Sequence, residues 1–324
     1  MSQLKLWVVS PVYLDVESFL ILRREILQVL AHPAGSPFGR IEFVAVDDSG
    51  GLDPEVERLR TLQHVTVVEP PFNLGHQRAL VYALRSLADR ISETDFVVTL
   101  DADGEDHPSD LLRLLAPLLN NPSDTRTVSL ALRTKRRESV PFKMLYLLFR
   151  ILFRSLTGMV VRSGNYAAFR GWLVHRVLFH PHFDLCYSST FISLNLKIDY
   201  VPAERGTRYA GKSRMSYSKL LMHGVRMLLP FTDRIAIRAL VAFSLAFGIS
   251  ALLLLAGIAV RLFSETPMPD WATSVPLLLM VLSFVSVWNL IILFAAFTQS
   301  RGTSLKNLER ENRERPRVTS ASSN

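Results

Sequence analysis

Residues 95–108 read Asp95-Phe-Val-Val-Thr-Leu-Asp101-Ala-Asp103-Gly-Glu105-Asp-His-Pro108. An apolar, strand-forming run passes directly into carboxylates, and Gly104 and Pro108 then turn the chain ahead of an amphipathic helix near Asp110. Like charges crowded at a strand end repel and raise one another's pKa unless a cation sits among them. Two readings fit the stretch alone: a solvated acidic turn, or carboxylates that share a divalent cation carrying a diphosphate.

Upstream the same pattern repeats. Leu4-Lys-Leu-Trp-Val-Val-Ser-Pro11 reads as a buried strand, with Val12-Tyr13 in the next loop and an amphipathic helix over Val16 to Leu30. Ile41-Glu-Phe-Val-Ala-Val-Asp47-Asp48-Ser-Gly-Gly51 is a second strand, again followed by carboxylates and glycines. Asp53-Pro54 opens a helix to about Leu62, Val65 to Glu69 is a third strand, and Asn73-Leu-Gly-His-Gln77 caps a helix to about Ala88. Strands alternating with helices of this length predict an α/β fold with a mostly parallel sheet covered on both faces. Ligands of such sheets bind outside the carboxyl ends of the strands, where Pro11, Tyr13, Asp47, Asp48, Asp101 and Asp103 all fall. The chain has neither a Gly-x-Gly-x-x-Gly after its first strand nor a Gly-Lys-Ser/Thr phosphate loop, which disfavours a Rossmann dinucleotide site and a P-loop. Acidic strand ends point instead to phosphates held through a metal, leaving Asp47 or Asp48 to bond a base or ribose. That is a nucleotide-sugar pattern.

The chain has 324 residues and a formal net charge of +8, and 49% of it is hydrophobic. Ala239 to Val260 and Trp271 to Ser300 carry no charged residue, and each exceeds the roughly 20 residues a helix needs to cross the hydrocarbon core. Arg226, Arg234 and Arg238 precede the first run. Arg301, Lys306, Arg310, Arg313, Arg315 and Arg317 follow the second, whereas the connection between them offers Arg261 against Glu265 and Asp270. The positive-inside rule therefore predicts a multi-pass protein with both termini and the N-terminal domain in the cytosol. No secretory signal is expected before the first strand. Basic residues that flank spans, with no aromatic-interleaved stripe, argue against nucleic-acid binding. The lone Cys186 excludes an intrachain disulfide framework. Pro141 to Arg154 is apolar with Lys143, Arg150 and Arg154 interspersed, the pattern of a helix lying in the head-group plane.

Pro11-Val-Tyr13, Val46-Asp-Asp48, Asn73-Leu-Gly75, Asp101-Ala-Asp103 and Arg208-Tyr-Ala-Gly-Lys-Ser213 together resemble, in order and spacing, the family 2 inverting glycosyltransferases of GT-A fold. Within them the chain looks like the polyprenyl-phosphate transferases, the group of dolichol-phosphate mannose synthase and the bacterial undecaprenyl-phosphate glucosyltransferases. The resemblance covers roughly Leu4 to Phe231. It implies transfer from a UDP- or GDP-linked sugar to a polyprenyl (undecaprenyl-type) phosphate at the bacterial inner membrane, dependent on Mg²⁺ or Mn²⁺. It also implies a DxD metal motif at Asp101 and Asp103, with Glu105 where many relatives carry Gln. Arg133, Asp103 and Arg208 become the expected catalytic residues. Pro11, Tyr13, Asp47, Asp48 and Asp101 would bind the donor, and Arg162, Ser163, Arg208, Lys212 and Ser213 the acceptor phosphate. Leu14-Asp15 stand where relatives carry Asn-Glu, and Asp15 has no assigned role. The expected organisation is a GT-A domain over 1–215, a juxtamembrane helix over 216–238, a two-helix transmembrane hairpin over 239–300 and a basic, partly disordered tail over 301–324. Homo-oligomerisation through the hairpin is a further expectation. The alternatives are a polysaccharide-directed transferase, against which stand the missing Gln-x-x-Arg-Trp and the count of only two spans, and a non-catalytic membrane scaffold.

Overall fold

β1 (Leu4–Val12) is the strand from which the sheet grows, because Leu6, Trp7, Val8 and Val9 are covered on both faces, as a central parallel strand requires. The computed structural model describes residues 4–31, 37–133, 140–160, 163–180, 182–184, 186–194, 196–204, 206–209, 217–264 and 269–314. Two compact units divide the chain: Met1–Arg150 with Met159–Pro230, and Ile151–Gly158 with Phe231–Asn324.

In the first unit β1 is followed by α1 (Val16–Leu30), whose buried Val16, Phe19, Leu22, Ile26 and Leu30 recur at helical spacing. The Asp15 side chain accepts the Ser18 N–H at 3.3 Å, so this residue caps α1. β2 (Phe38–Asp47) pairs in parallel with β1. Only a single 3₁₀ turn and the short α2 (Glu57–Arg60) stand where a longer helix to Leu62 is expected. β3 (Val65–Val68), α3 (His76–Ser86), β4 (Phe96–Thr99) and α4 (Leu111–Asn120) complete the parallel half. Next come β5 (Thr127–Arg133), α5 (Val140–Thr157), β6 (Ser163–Arg170), α6 (Gly171–Val177), α7 (Tyr187–Ser193), β7 (Lys197–Ala203) and α8 (Tyr217–Leu228). The strand order is β3-β2-β1-β4-β6-β5-β7. β6 runs antiparallel to β4 and β5, and the other described pairings are parallel.

Phe19, Phe43 and Phe96 are fully buried beneath the sheet's helices, each contributing roughly 1.5–3 kcal/mol. Arg170 ends β6 against Phe96. Its guanidinium lies 3.7 Å from the Phe96 ring centroid and donates to the carbonyls of Thr94 and Leu118. Next to it the Gly171 N–H donates to the Asp95 carbonyl at 2.8 Å, and a Cβ on Gly171 would stand 1.9 Å from the Ser92 carbonyl oxygen. Backbone cannot yield that far. Gly171→Ala is expected to cost about 2–3 kcal/mol and to lower the thermal midpoint of the purified protein; an unchanged midpoint would contradict this packing.

In the second unit, α9 (Thr232–Phe263) and α10 (Trp271–Glu314) pack against each other. The helices approach closely at Gly257, where a Cβ would lie 3.2 Å from Thr273 Cγ2. Both contain stretches long and apolar enough to cross a membrane, and only 6% and 11% of those stretches is buried in the protein. Core helices of a soluble domain would be covered. The Phe153 ring, from the last turns of α5, meets Phe231 edge-on at 5.5 Å. Along α5 itself Met144, Leu147, Leu148, Ile151 and Leu152 form an exposed apolar stripe.

Candidate active site

The parallel strands deliver their carboxyl ends to one edge of the sheet. The Asp48 N–H donates to the Val12 carbonyl and the Leu100 N–H to the Val9 carbonyl, so the loops after β1, β2 and β4 lie side by side. Pro11 is paired with Val46 in the register, Tyr13 beyond it is exposed, and Leu14 adopts a left-handed φ of 51°. Such a conformation is costly for a branched side chain and clusters at functional loops.

Asp47 and Asp48 divide their work. Both Asp48 carboxylate oxygens accept backbone N–H groups, from Leu74 at 2.6 Å and Gly75 at 2.9 Å, while Asn73 Nδ2 donates to the Asp48 carbonyl. Asn73-Leu-Gly75 is thus the clasp that holds Asp48, and Gly75 needs its left-handed φ of 80° to present its N–H. Burial still pushes the Asp48 carboxyl above its ordinary pKa, with those N–H bonds opposing. One Asp47 oxygen accepts the Ser49 N–H, and Oδ2 is buried with no partner among the described residues. A buried carboxylate oxygen of that kind is suited to a ligand hydroxyl or N–H.

After β4 the acidic turn folds on itself. The Asp101 N–H donates to Asp106 Oδ2 at 3.1 Å, and the Glu105 N–H to Asp103 Oδ1 at 3.0 Å. Gly104, at φ 87°, makes the reversal. The side chains of Asp103 and Glu105 then converge on one guanidinium: Arg208 Nη2 lies 2.9 Å from Asp103 Oδ2, and Arg208 Nε 2.9 Å from Glu105 Oε1. Burial raises the Asp103 carboxyl above its ordinary pKa, against the pull of the Glu105 N–H and of Arg208. Asp101 faces elsewhere, with Oδ1 3.1 Å from His76 Nε2. Among the described residues no three His, Cys, Asp or Glu side chains are arranged as a ready-made metal cage.

His76, Gln77 and Asn165 join the site without having been singled out from the sequence. His76 and Gln77 open α3, His76 touches Asn165, and Gln77 donates to Asn165 Oδ1 at 2.9 Å. Thr99 at the end of β4 donates to the Asn165 carbonyl and pairs with the Tyr187 hydroxyl, both at 2.7 Å. The sequence signal was faint: polar residues in the first turn of a helix, usually read as caps. The backbones of Arg133 and Ser163 end β5 and begin β6, but their side chains lie outside the described residues, as do Arg162, Lys212 and Ser213. Of the residues expected at the acceptor phosphate, Arg208 is therefore the one whose side chain is described, and it meets Asp103 and Glu105.

The arrangement is a carboxylate-lined edge of a parallel sheet, closed by a basic loop. Residues 7–177 match the model of glycosyl transferase family 2, more than half of the 324-residue chain. An undecaprenyl-phosphate 4-deoxy-4-formamido-L-arabinose transferase of Pectobacterium carotovorum subsp. carotovorum (strain PC1) is 28% identical over 225 residues, covering 66% of this chain and 63% of that protein, so the chain spans less than two thirds of its relative's length. Among solved structures, glucosyl-3-phosphoglycerate synthase from Mycobacterium tuberculosis, in complex with Mn²⁺, UDP and glucosyl-3-phosphoglycerate, aligns over 72% of this chain and 80% of its own with 18% identity and a TM-score of 0.48. A mannosyltransferase from Pyrobaculum calidifontis, in complex with GDP-mannose and Mn²⁺, aligns over 87% and 86% with 19% identity and a TM-score of 0.40. The match across the strands and helices that build the acidic edge makes this chain a family 2 glycosyltransferase of GT-A fold.

Proposed function

We propose that the protein transfers a sugar, with inversion, from a UDP- or GDP-linked donor to a polyprenyl phosphate at the cytosolic face of a bacterial inner membrane, using Mg²⁺ or Mn²⁺. The observation that carries this reading is the convergence of Asp103 and Glu105 on Arg208, in a chain that also bears two membrane-length helices. The relative that acts on undecaprenyl phosphate supports the acceptor class. The exposed stripe of α5, with Arg150 and Arg154 on the same helix, supports contact with a lipid head-group layer.

The residues fit a divalent metal. Two carboxylates already grip one cation from hard oxygen atoms, and Mg²⁺ is commonly bound by one or two carboxylates, with substrate phosphates and water supplying the rest. When bound, the metal supplies Lewis-acid stabilisation of the leaving diphosphate. Asp103 and Glu105 would hold it, while Asp101 is turned to His76. Asp47, through its buried Oδ2, would bond the base or ribose, and Asp48 would keep the Asn73–Gly75 wall in place. Arg208, with Arg133 and Lys212, would neutralise the acceptor phosphate. An ionised phosphate oxygen is already nucleophilic, so no strong general base is needed. Its bond to the anomeric carbon forms as the bond from that carbon to the diphosphate breaks, and the nucleoside diphosphate leaves. The sheet edge and its loops orient both substrates and exclude water.

Calorimetry tests the donor half. Purified protein is expected to bind UDP or GDP in the presence of Mn²⁺, and a well-folded preparation that binds neither would favour a scaffold. Protonated Asp103 cannot ligate a metal, so Mn²⁺ affinity is expected to weaken as pH falls through its raised pKa, where an exposed aspartate is still ionised. Mn²⁺ titrations across a pH series read this directly; affinity that stays flat down to the ordinary aspartate range would contradict it.

A further inference from the structure

The loop that follows β7 is strapped across the acidic turn by backbone as well as side chains. The Gly206 N–H donates to the Glu105 carbonyl and the Tyr209 N–H to the Asp103 carbonyl, each at 2.9 Å. The Tyr209 hydroxyl donates to Glu25 Oε2 of α1 at 2.7 Å, tying the loop to a helix outside every motif. Gly104 and Gly206 are pressed face to face: a Cβ on Gly206 would stand 2.1 Å from the Gly104 carbonyl oxygen. These contacts fix the backbone on either side of Arg208 beside the acidic turn, and its guanidinium reaches Asp103 and Glu105 from there.

Asp103 Oδ2 and Glu105 Oε1 are the oxygens Arg208 occupies, and a divalent ion needs such oxygens at about 2.0–2.3 Å. An ion bridging those two oxygens would have to sit where the guanidinium now lies between them. We propose that Arg208 is the resident counter-cation of the acidic turn, that the metal displaces it, and that the displaced guanidinium is what becomes available to the acceptor phosphate. This rests on the metal-dependent reading above. One arginine then serves two partners in turn, and the metal-bound donor precedes the lipid. Until the donor is in place, the cation that would attract the acceptor is engaged elsewhere, which guards against unproductive lipid binding.

The test is Mn²⁺ binding to the full-length protein in detergent, followed by the loss of the free-Mn²⁺ electron paramagnetic resonance signal, without lipid. Arg208→Gln removes the competing charge and is expected to bind Mn²⁺ about tenfold more tightly than the unaltered protein. Arg208→Lys keeps the charge and is expected to bind Mn²⁺ less tightly than Arg208→Gln, which separates competition from a general loosening of the loop. Equal or weaker binding by Arg208→Gln would overturn the displacement while leaving the metal site standing. If none of the three proteins binds Mn²⁺, with UDP or GDP present or absent, the metal-dependent reading falls and takes this inference with it.

Discussion

Asp103→Asn is expected to lower sugar transfer by about 10³-fold, equivalent to roughly 4 kcal/mol of lost transition-state stabilisation. The substitution keeps the size of the side chain and an oxygen able to accept the Glu105 N–H, the bond that shapes the turn. It removes the charge that Arg208 now meets and that a metal would need. Because Glu105 still binds Arg208, the strap over the turn should persist and the thermal midpoint should barely move. A loss of activity without a loss of fold is therefore the signature. Transfer retained above about a tenth of the original rate, far from the loss expected for a metal ligand, would remove Asp103 from the mechanism.

Arg208→Ala carries the second large effect, a fall of about 10²–10³-fold in transfer to polyprenyl phosphate. The defect should appear mainly against the lipid, as a raised KM or a failure to saturate, because the guanidinium is assigned to the acceptor phosphate. Donor binding should not suffer, since the acidic turn loses a competitor. Activity down and metal affinity up, in one variant, is a combination that simple damage to the site does not produce. A parallel loss of nucleotide binding would instead place Arg208 on the donor diphosphate.

The parallel half of the sheet was legible in the sequence because its signals are local. Val16–Leu30 shows its helical face and its end, and each acidic strand terminus follows directly on its apolar run. β6 was not legible as a strand between β4 and β5, since Asn165 to Arg170 is buried throughout and shows no alternation. Nor does a buried strand reveal its direction: antiparallel pairing of β6 depends on how α5 returns the chain, which is a tertiary matter. The acidic site was legible as an inventory of carboxylates but not as a set of partners. Asp48 looked like a ligand-binding group and is also held by Leu74 and Gly75, while Arg208 is separated from Glu105 by over a hundred residues. His76 and Asn165 carry ordinary polar side chains whose meaning comes only from the fold, which brings His76 to Asp101 and Asn165 to His76.

The most direct measurement incubates the purified full-length protein with Mn²⁺, undecaprenyl phosphate and a panel of radiolabelled UDP- and GDP-sugars, then extracts the lipid. One donor is expected to deliver label to the lipid phase as a single sugar on a monophosphate, with the anomeric configuration opposite to that of the donor. Donor consumed without lipid-linked sugar, long sugar chains as product, or retention at the anomeric carbon would contradict the account.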